Sequence, residues 1–406
     1  MFGLGDFLSY FDSVILYYLI FITAFCFFLA ADRFKNGTVA KLCTLSGVLV
    51  LAFFAGARDL TVGIDTYTTV QAFFIPFDSV SSLDIVDYTG YTEEPIYRYL
   101  SFILHRVTHE PWIFLFIAQL LTAGPVAIGL QRYHKKIFLS VGMLVYMLLF
   151  YQVSLNIIRQ SIATAFLFWA FVECLNGFNL RGVFLSVVSI LFHKSGIIGA
   201  VLIFLILILA KVKRENSRKL IISISILISF IALLYWQPIV SWFVSHDLLP
   251  DKLIRYVAFF SSGDFGGQAH KFVNKGVGAI GIVRMSISFL GIFLSVYTLN
   301  VKIKQYDYDT LAMKYAVVLS LGLYAAIFFS LNTIMGWRIS MYLEYMQILL
   351  YSRIYAIVSD NTELYKNGAI HIKNPASLNF ILYPFIYNII VIMIVYSSGT
   401  LPYLFG

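Results

Sequence analysis

The sequence predicts an all-α polytopic membrane protein with about twelve membrane segments, formed as one integral membrane domain over residues 1–406. Three observations carry this. Hydrophobic residues make up 60% of the chain and charged residues only 12%. Apolar runs such as Val14 to Ala31 and Ile197 to Ala210 recur along it, and no stretch between them is large enough for a soluble domain.

Basic residues orient the segments. Arg33, Lys35 and Lys41; Arg132, Lys135 and Lys136; Lys211, Lys213, Arg214, Arg218 and Lys219; Lys302 and Lys304; and Lys366 and Lys373 lie in short loops, where the positive-inside bias marks the cytoplasmic side. The amino terminus then lies outside. Spans fall near residues 12 to 31, 42 to 57, 112 to 130, 138 to 154, 157 to 176, 219 to 237, 278 to 299, 312 to 331, 340 to 358 and 378 to 397. The two large loops, 58–111 and 238–277, face outward. The first segment is expected to stay as a helix, because Asp6 and Asp12 stand where a signal peptide would be basic, and Arg33 and Lys35 follow the apolar run.

The formal charge of +8 is spread over loops separated by spans, so it forms no stripe for nucleic acid. Cys26, Cys43 and Cys174 sit at unrelated spacings in or beside apolar segments, which argues against a disulfide framework and against a metal site.

From Val183 to Ala210 the chain is apolar except for two serines and His193-Lys194-Ser195, yet both of its ends read as cytoplasmic. The stretch therefore bends, as helices Val183 to Phe192 and Gly196 to Ala210 with His193 at the outward apex. Ten residues rise only about 15 Å, so the apex lies within the membrane depth, where irregular backbone needs surrounding protein or a wet cavity. In the first outer loop Ile96, Leu100, Ile103, Leu104 and Val107 recur at helical spacing, with Arg98, Ser101, His105 and His109 mostly on another face. This predicts a helix in the outer interface, serving either as one wall of a lateral lipid entrance or as a cover for the bundle.

Four outward polar clusters follow. Arg58 and Asp59, with Gly63-Ile64-Asp65-Thr66-Tyr67, offer a guanidinium, carboxylates, hydroxyls and a turn glycine, chemistry suited to an anion and sugar hydroxyls. The same residues also fit an Arg58 pair with Asp59 or Asp65 that closes the loop. Asn156, Arg159, Gln160 and Ala163 share one helical face. A central arginine costs roughly 2.5 to 3.5 kcal/mol on insertion scales, so that face either lines a cavity or lets Arg159 snorkel from a helix end. His193 offers an imidazole, whose ordinary titration range straddles neutrality, or simply satisfies backbone groups near the bend. In the fourth cluster, Asn332 to Arg338, the guanidinium of Arg338 shares a face with Tyr342 and Tyr345. Glu344 and Arg284 lie inside spans, and an ion pair between them would explain both.

In this order and on this common side, the clusters resemble the EpsG/Wzy family of polysaccharide polymerases. The carriers are Arg58 with Gly63-Ile64-Asp65-Thr66 and Tyr67; Asn156, Arg159-Gln160 and Ala163; Phe192-His193 and Ser195; and Asn332 with Arg338 and Tyr342. The resemblance covers nearly the whole chain. It implies a GT-C-like glycosyltransferase at the outer face of the bacterial inner membrane, moving a growing glycan from undecaprenyl pyrophosphate to the terminal sugar of another undecaprenyl-linked repeat unit. It also implies a chain-length regulator and a flippase of the same pathway as partners, besides membrane lipid.

The chemistry of that transfer fits the residues. A lipid pyrophosphate gains negative charge as it leaves, which guanidinium groups stabilise, so Arg58, Arg159 and Arg338 are expected to bind it, with Arg284 second. His193, Asp65 and Glu94 are the outward candidates for a base, His193 favoured. Asn156, Gln160, Asn332, Tyr342 and Glu94 are expected to contact substrate. No cluster has metal-ligand spacing, so no metal or other cofactor is expected. A lipid-linked oligosaccharide flippase and an O-antigen ligase remain open as alternatives.

Overall fold

The structure is a computed structural model. It describes residues 4–34, 37–63, 65–75, 94–175, 177, 179–212, 279–302, 307–330, 333–358, 379–394 and 400, with four single positions between 213 and 278. The predicted span at 219 to 237, almost all of the loop 238–277, Asn332 and the side chain of Arg284 lie outside the described residues.

Every regular element among the described residues is helical. Helices α1 (Leu4–Arg33), α2 (Gly37–Gly56), α5 (Pro111–Arg132) and α8 (Ile158–Leu175) frame the first half, with the short α3 (Thr66–Phe73) and α4 (Pro95–Val107) between α2 and α5. Helix α6 (Leu139–Tyr146) runs through a π-helical turn, Met147–Tyr151, into α7 (Gln152–Asn156). Among the described residues, five helices are long and apolar enough to cross a membrane: Phe11–Arg33, Gly37–Gly56, Pro111–Arg132, Leu139–Asn156 and Ile158–Leu175. Each falls on a predicted span.

Packing follows small residues. A Cβ on Gly47 of α2 would lie 2.6 Å from the Phe28 ring of α1, and one on Gly129 of α5 would lie 3.0 Å from Phe168 of α8, so these helix pairs meet at glycine. Helix α8 is covered on one side by α5 and on another by α9 (Leu180–Phe192), which turns at His193 into α10 (Gly196–Ala210). The bend thus falls where the basic ends of this stretch require it.

The second half contributes α11 (Ala279–Lys302), α12 (Tyr308–Ser330), α13 (Thr333–Glu344), α14 (Met346–Val358) and α15 (Asn379–Tyr387). The span predicted at 340 to 358 is divided: its helix begins at Thr333 and breaks at Tyr345. The break lies among aromatic rings, with Tyr345 4.4 Å from Phe150 and fully buried.

Charge collects at two ends of the bundle. Arg159 and Glu173 stand fourteen residues apart on α8, about 21 Å along its axis. On the Glu173 end, Arg132 pairs with that carboxylate at 3.4 Å, Arg353 reaches Asp307 at 3.4 Å, and Lys136 pairs with Asp309. Asp32 there accepts the backbone N–H groups of Leu139 and Ser140 at 3.0 and 2.9 Å, capping α6 from the end of α1. The loop at Arg132 to Lys136 thus meets Asp307 and Asp309 at the start of α12.

Candidate functional site

At the Arg159 end the chain leaves α2 through a tight loop. Arg58 is 3% exposed, and its two terminal nitrogens donate to the carbonyls of Ala55 and, at 2.9 Å, of Leu155. It ties the last turns of α2 and α7 together by filling carbonyls that helix ends leave open. Asp59 accepts the N–H and hydroxyl of Thr61 at 2.9 and 2.6 Å, and the Thr61 hydroxyl and N–H hold its carboxyl below the usual range.

Gly63 has φ +95°, and a Cβ there would lie 2.6 Å from the Thr66 hydroxyl, so this turn needs glycine. The next N–H but one, of Asp65, donates to Asn156 Oδ1 at 2.7 Å, leaving the Asp65 carboxylate part-exposed beyond the start of α3. Thr66, fully buried, donates its hydroxyl to Val62 O at 2.8 Å and lies 3.2 Å from Leu155 O.

Glu94 precedes Pro95 at the start of α4 and is 6% exposed. Its Oε2 accepts from Arg159 Nη1 at 2.7 Å and its Oε1 from His193 Nδ1 at 2.9 Å. Burial pushes this carboxyl up, but the hydrogen bond from His193 and the charge of Arg159 outweigh it and hold Glu94 below the ordinary glutamate value. Tyr97, one turn on, is fully buried beside the same charges. Burial raises its hydroxyl, with Arg159 and Arg58 opposing and Glu94 adding.

The face of α4 that packs inward is Tyr97, Ser101 and His105, while Tyr99, Ile103 and Val107 are exposed. Ser101 and His105 of the predicted polar face thus turn inward, and Ile96, Leu100 and Leu104 of the predicted apolar face pack against the core beside them. In an interfacial helix the apolar face can meet acyl chains while the polar face meets the protein.

The bend between α9 and α10 is compact. The His193 N–H donates to Ser189 O at 3.0 Å, and a Cβ on Gly196 would lie 2.8 Å from Ser189 Oγ. Ser189 in turn donates to Ala163 O at 2.7 Å, docking the bend on α8. Ser195 Oγ meets Tyr342 Oη at 2.7 Å. Gln160 donates its side-chain amide to the carbonyl of Arg338, whose guanidinium stands 3.9 Å from Asp65.

The four predicted clusters therefore close into a ring: Asp65 to Asn156, Arg159 through Glu94 to His193, Ser195 to Tyr342, and Arg338 to both Gln160 and Asp65. Glu344 is 4% exposed, accepts from Ser340, and lines a separate small pocket with Ser288, Gln347 and Tyr383. Sequence reading named Thr66 only as a hydroxyl of the first cluster, and it missed Ser189, although Ser189 stands one helical turn before His193.

A family model for the EpsG family matches residues 41–405. The chain belongs to the EpsG family. Searches of curated proteins and of solved structures each returned no match. Membership in the EpsG family supports a polysaccharide polymerase role, glycosyltransferase-like, for a chain rich in membrane-length helices.

Within this EpsG-family site, exposure divides the residues. The side chains of Arg159, Arg338 and Asp65 are 29%, 33% and 44% exposed and that of His193 is 19% exposed. Arg58, Gln160 and Tyr342 are each 3% exposed or less; the first two hold backbone carbonyls beneath the site and Tyr342 holds the Ser195 hydroxyl. The open part thus offers two guanidiniums, an imidazole and a carboxylate, which suits an anionic ligand with hydroxyls beside it.

Proposed function

We propose that this protein is a polysaccharide polymerase that transfers a growing glycan from undecaprenyl pyrophosphate to the terminal sugar of an incoming undecaprenyl-pyrophosphate-linked repeat unit. The observation that carries this reading is the pair of part-exposed arginines, Arg159 and Arg338, held in one ring of contacts with His193 and Asp65.

In the transfer, an acceptor hydroxyl forms a bond to the anomeric carbon of the donor glycan, and the bond from that carbon to the pyrophosphate oxygen breaks. The electron pair leaves onto the pyrophosphate, where Arg159 and Arg338 stabilise the new charge. The hydroxyl proton passes to His193 Nε2. Asp65, the most exposed of the four, holds sugar hydroxyls. Arg58, Asn156, Gln160 and Tyr342 keep the loop 58–66 and the bend at His193 in register, so they act on the substrate through these groups.

The reaction takes place at the outer face of the bacterial inner membrane, in a GT-C-like framework, and needs no metal, because fixed guanidiniums supply the positive charge. Purified protein incubated with one lipid-linked repeat unit should give a ladder of products on a gel. Translocation of that substrate across vesicles without a ladder would instead identify a flippase.

A further inference from the structure

We propose that Glu94 is a positioning residue: it holds His193 in the one tautomer that leaves Nε2 free to take a proton, and with its other oxygen it aims Arg159. The inference rests on the polymerase reading for its consequence, and on geometry for its content.

Glu94 stood among the expected sugar ligands and bases, but its surroundings leave it little means of meeting substrate. The side chain is 8% exposed, and both carboxylate oxygens already accept hydrogen bonds, from His193 Nδ1 at 2.9 Å and Arg159 Nη1 at 2.7 Å. An ionised carboxylate only accepts, so the shared hydrogen must sit on Nδ1. In a neutral imidazole that leaves the lone pair on Nε2, and the second ring nitrogen is fixed by the partner of the first.

Three elements support the arrangement. Glu94 is anchored at the start of α4 by its own backbone, whose carbonyl accepts the Arg98 N–H at 3.1 Å, and Pro95 fixes the first helical residue. His193 is held at the end of α9 by its N–H bond to Ser189 O, and its own carbonyl accepts the Gly196 N–H at 2.8 Å. Arg159 opens α8. A ring pinned at Nδ1 and by its backbone has little rotational freedom left, which places Nε2 at a constant position relative to the Arg159 guanidinium. Placing base and anion ligand on one carboxylate fixes both against each other, the geometric demand of a transfer in which the proton and the leaving charge move on either side of the reacting carbon.

Glu94, at the start of α4, faces His193 and Arg159, and it also acts electrostatically on Tyr97 of α4 and on Tyr342 of α13, which in turn feels Arg338; Lys194 follows His193 in the chain. Glu94 is the group in hydrogen-bond contact with His193 Nδ1.

The test needs no substrate at first. Protein labelled with ¹⁵N at its seven histidines, purified in detergent and held at neutral pH, gives imidazole ¹⁵N spectra in which the His193 pair is assigned by its loss in His193→Gln. The expected result is a neutral ring protonated at Nδ1 in the natural protein, and a shift of the proton to Nε2 or a mixture of tautomers in Glu94→Gln. An imidazolium or an Nε2–H ring in the natural protein, or an unchanged Nδ1–H ring in Glu94→Gln, overturns the proposal.

Glu94→Asp keeps the carboxylate on a shorter arm and covers the case in which the amide variant does not fold. It should retain part of the Nδ1–H population, and none at all counts against positioning. Product ladders then separate the two ideas. With positioning correct and His193 the base, Glu94→Gln lowers kcat by a hundredfold or more while KM for the lipid-linked repeat unit changes severalfold. If His193→Gln polymerises normally while the tautomer result holds, the base assignment falls and the Glu94 to His193 linkage stands.

Discussion

Asn156 accepts the backbone N–H of Asp65 at 2.7 Å across ninety-one residues of chain, so the loop after α2 is hung from the turn before α8. Removing the acceptor leaves a part-buried N–H without its partner, a cost of roughly 1 to 3 kcal/mol. Asn156→Ala should therefore slow polymer formation by displacing Asp65, while Asn156→Asp, which keeps an acceptor oxygen, should retain most of it. Ladder density at equal membrane protein level measures this. Equal loss in both variants would show that the amide hydrogens, and not the acceptor, matter.

The bend at His193 was legible in the sequence because charge marked it: an apolar stretch with basic residues at both ends reads as one that returns to the side it left, and the polar triplet marks where. Helical spacing likewise put Asn156, Arg159, Gln160 and Ala163 on one face. Neither kind of signal names the neighbour. Glu94 reaches His193 over 99 residues and Gln160 reaches the Arg338 carbonyl over 178, and such partners depend on how helices cross. Arg58 shows the same limit, since an arginine just past a helix serves equally as anion ligand or as helix cap, and only the location of the Leu155 carbonyl decides. The inward turn of Ser101 and His105 on α4 escaped for a related reason. Period alone gives two faces without saying which one meets protein.

Tyr342 sits beneath the bend, and Gly199 of α10 gives it room: a Cβ on Gly199 would lie 2.6 Å from the Tyr342 ring and 2.7 Å from Leu167. Gly199→Val should destabilise the protein by about 1 to 3 kcal/mol through overpacking, and should move the Tyr342 hydroxyl away from Ser195. Thermal unfolding in detergent checks the first effect. A second change, Tyr342→Leu, should recover part of the lost stability by making space, without recovering activity.

Glu94 also carries a pH signature. Its folded carboxyl titrates below the ordinary 4.5, so it contributes stability that is complete above that value and is lost as pH falls through the lowered folded value. Thermal midpoints of the natural protein and of Glu94→Gln, measured from pH 7 to roughly pH 3, should differ at neutral pH and converge at the acid end. A constant gap across the range would mean that the carboxylate charge contributes nothing to the fold.

A chelator tests the source of positive charge. Among the described residues no three or more histidine, cysteine, aspartate or glutamate side chains gather as metal ligands, whereas Arg159 and Arg338 stand part-exposed in the site. Ladder formation should survive excess chelator with an unchanged rate. Loss of activity restored by magnesium would transfer the role of charge neutraliser from the arginines to a cation.

Arg58 and Arg159 separate structure from recognition. Both are arginines at helix ends, but Arg58 is 3% exposed with carbonyl partners, while the Arg159 side chain is 29% exposed and holds one carboxylate oxygen. Lysine keeps the charge and loses the planar fork, which matters in different ways at the two positions. Arg58→Lys cannot reach both the Ala55 and Leu155 carbonyls, so it should lower stability by roughly 1 to 3 kcal/mol and lower activity only in proportion to folded protein. Arg159→Lys should unfold at nearly the natural temperature yet lose polymer formation a hundredfold or more, because a point charge does not match a pyrophosphate that needs two parallel donors. Wild-type ladders from Arg159→Lys would remove Arg159 from the pyrophosphate site, and a stable but inactive Arg58→Lys would bring Arg58 back into it.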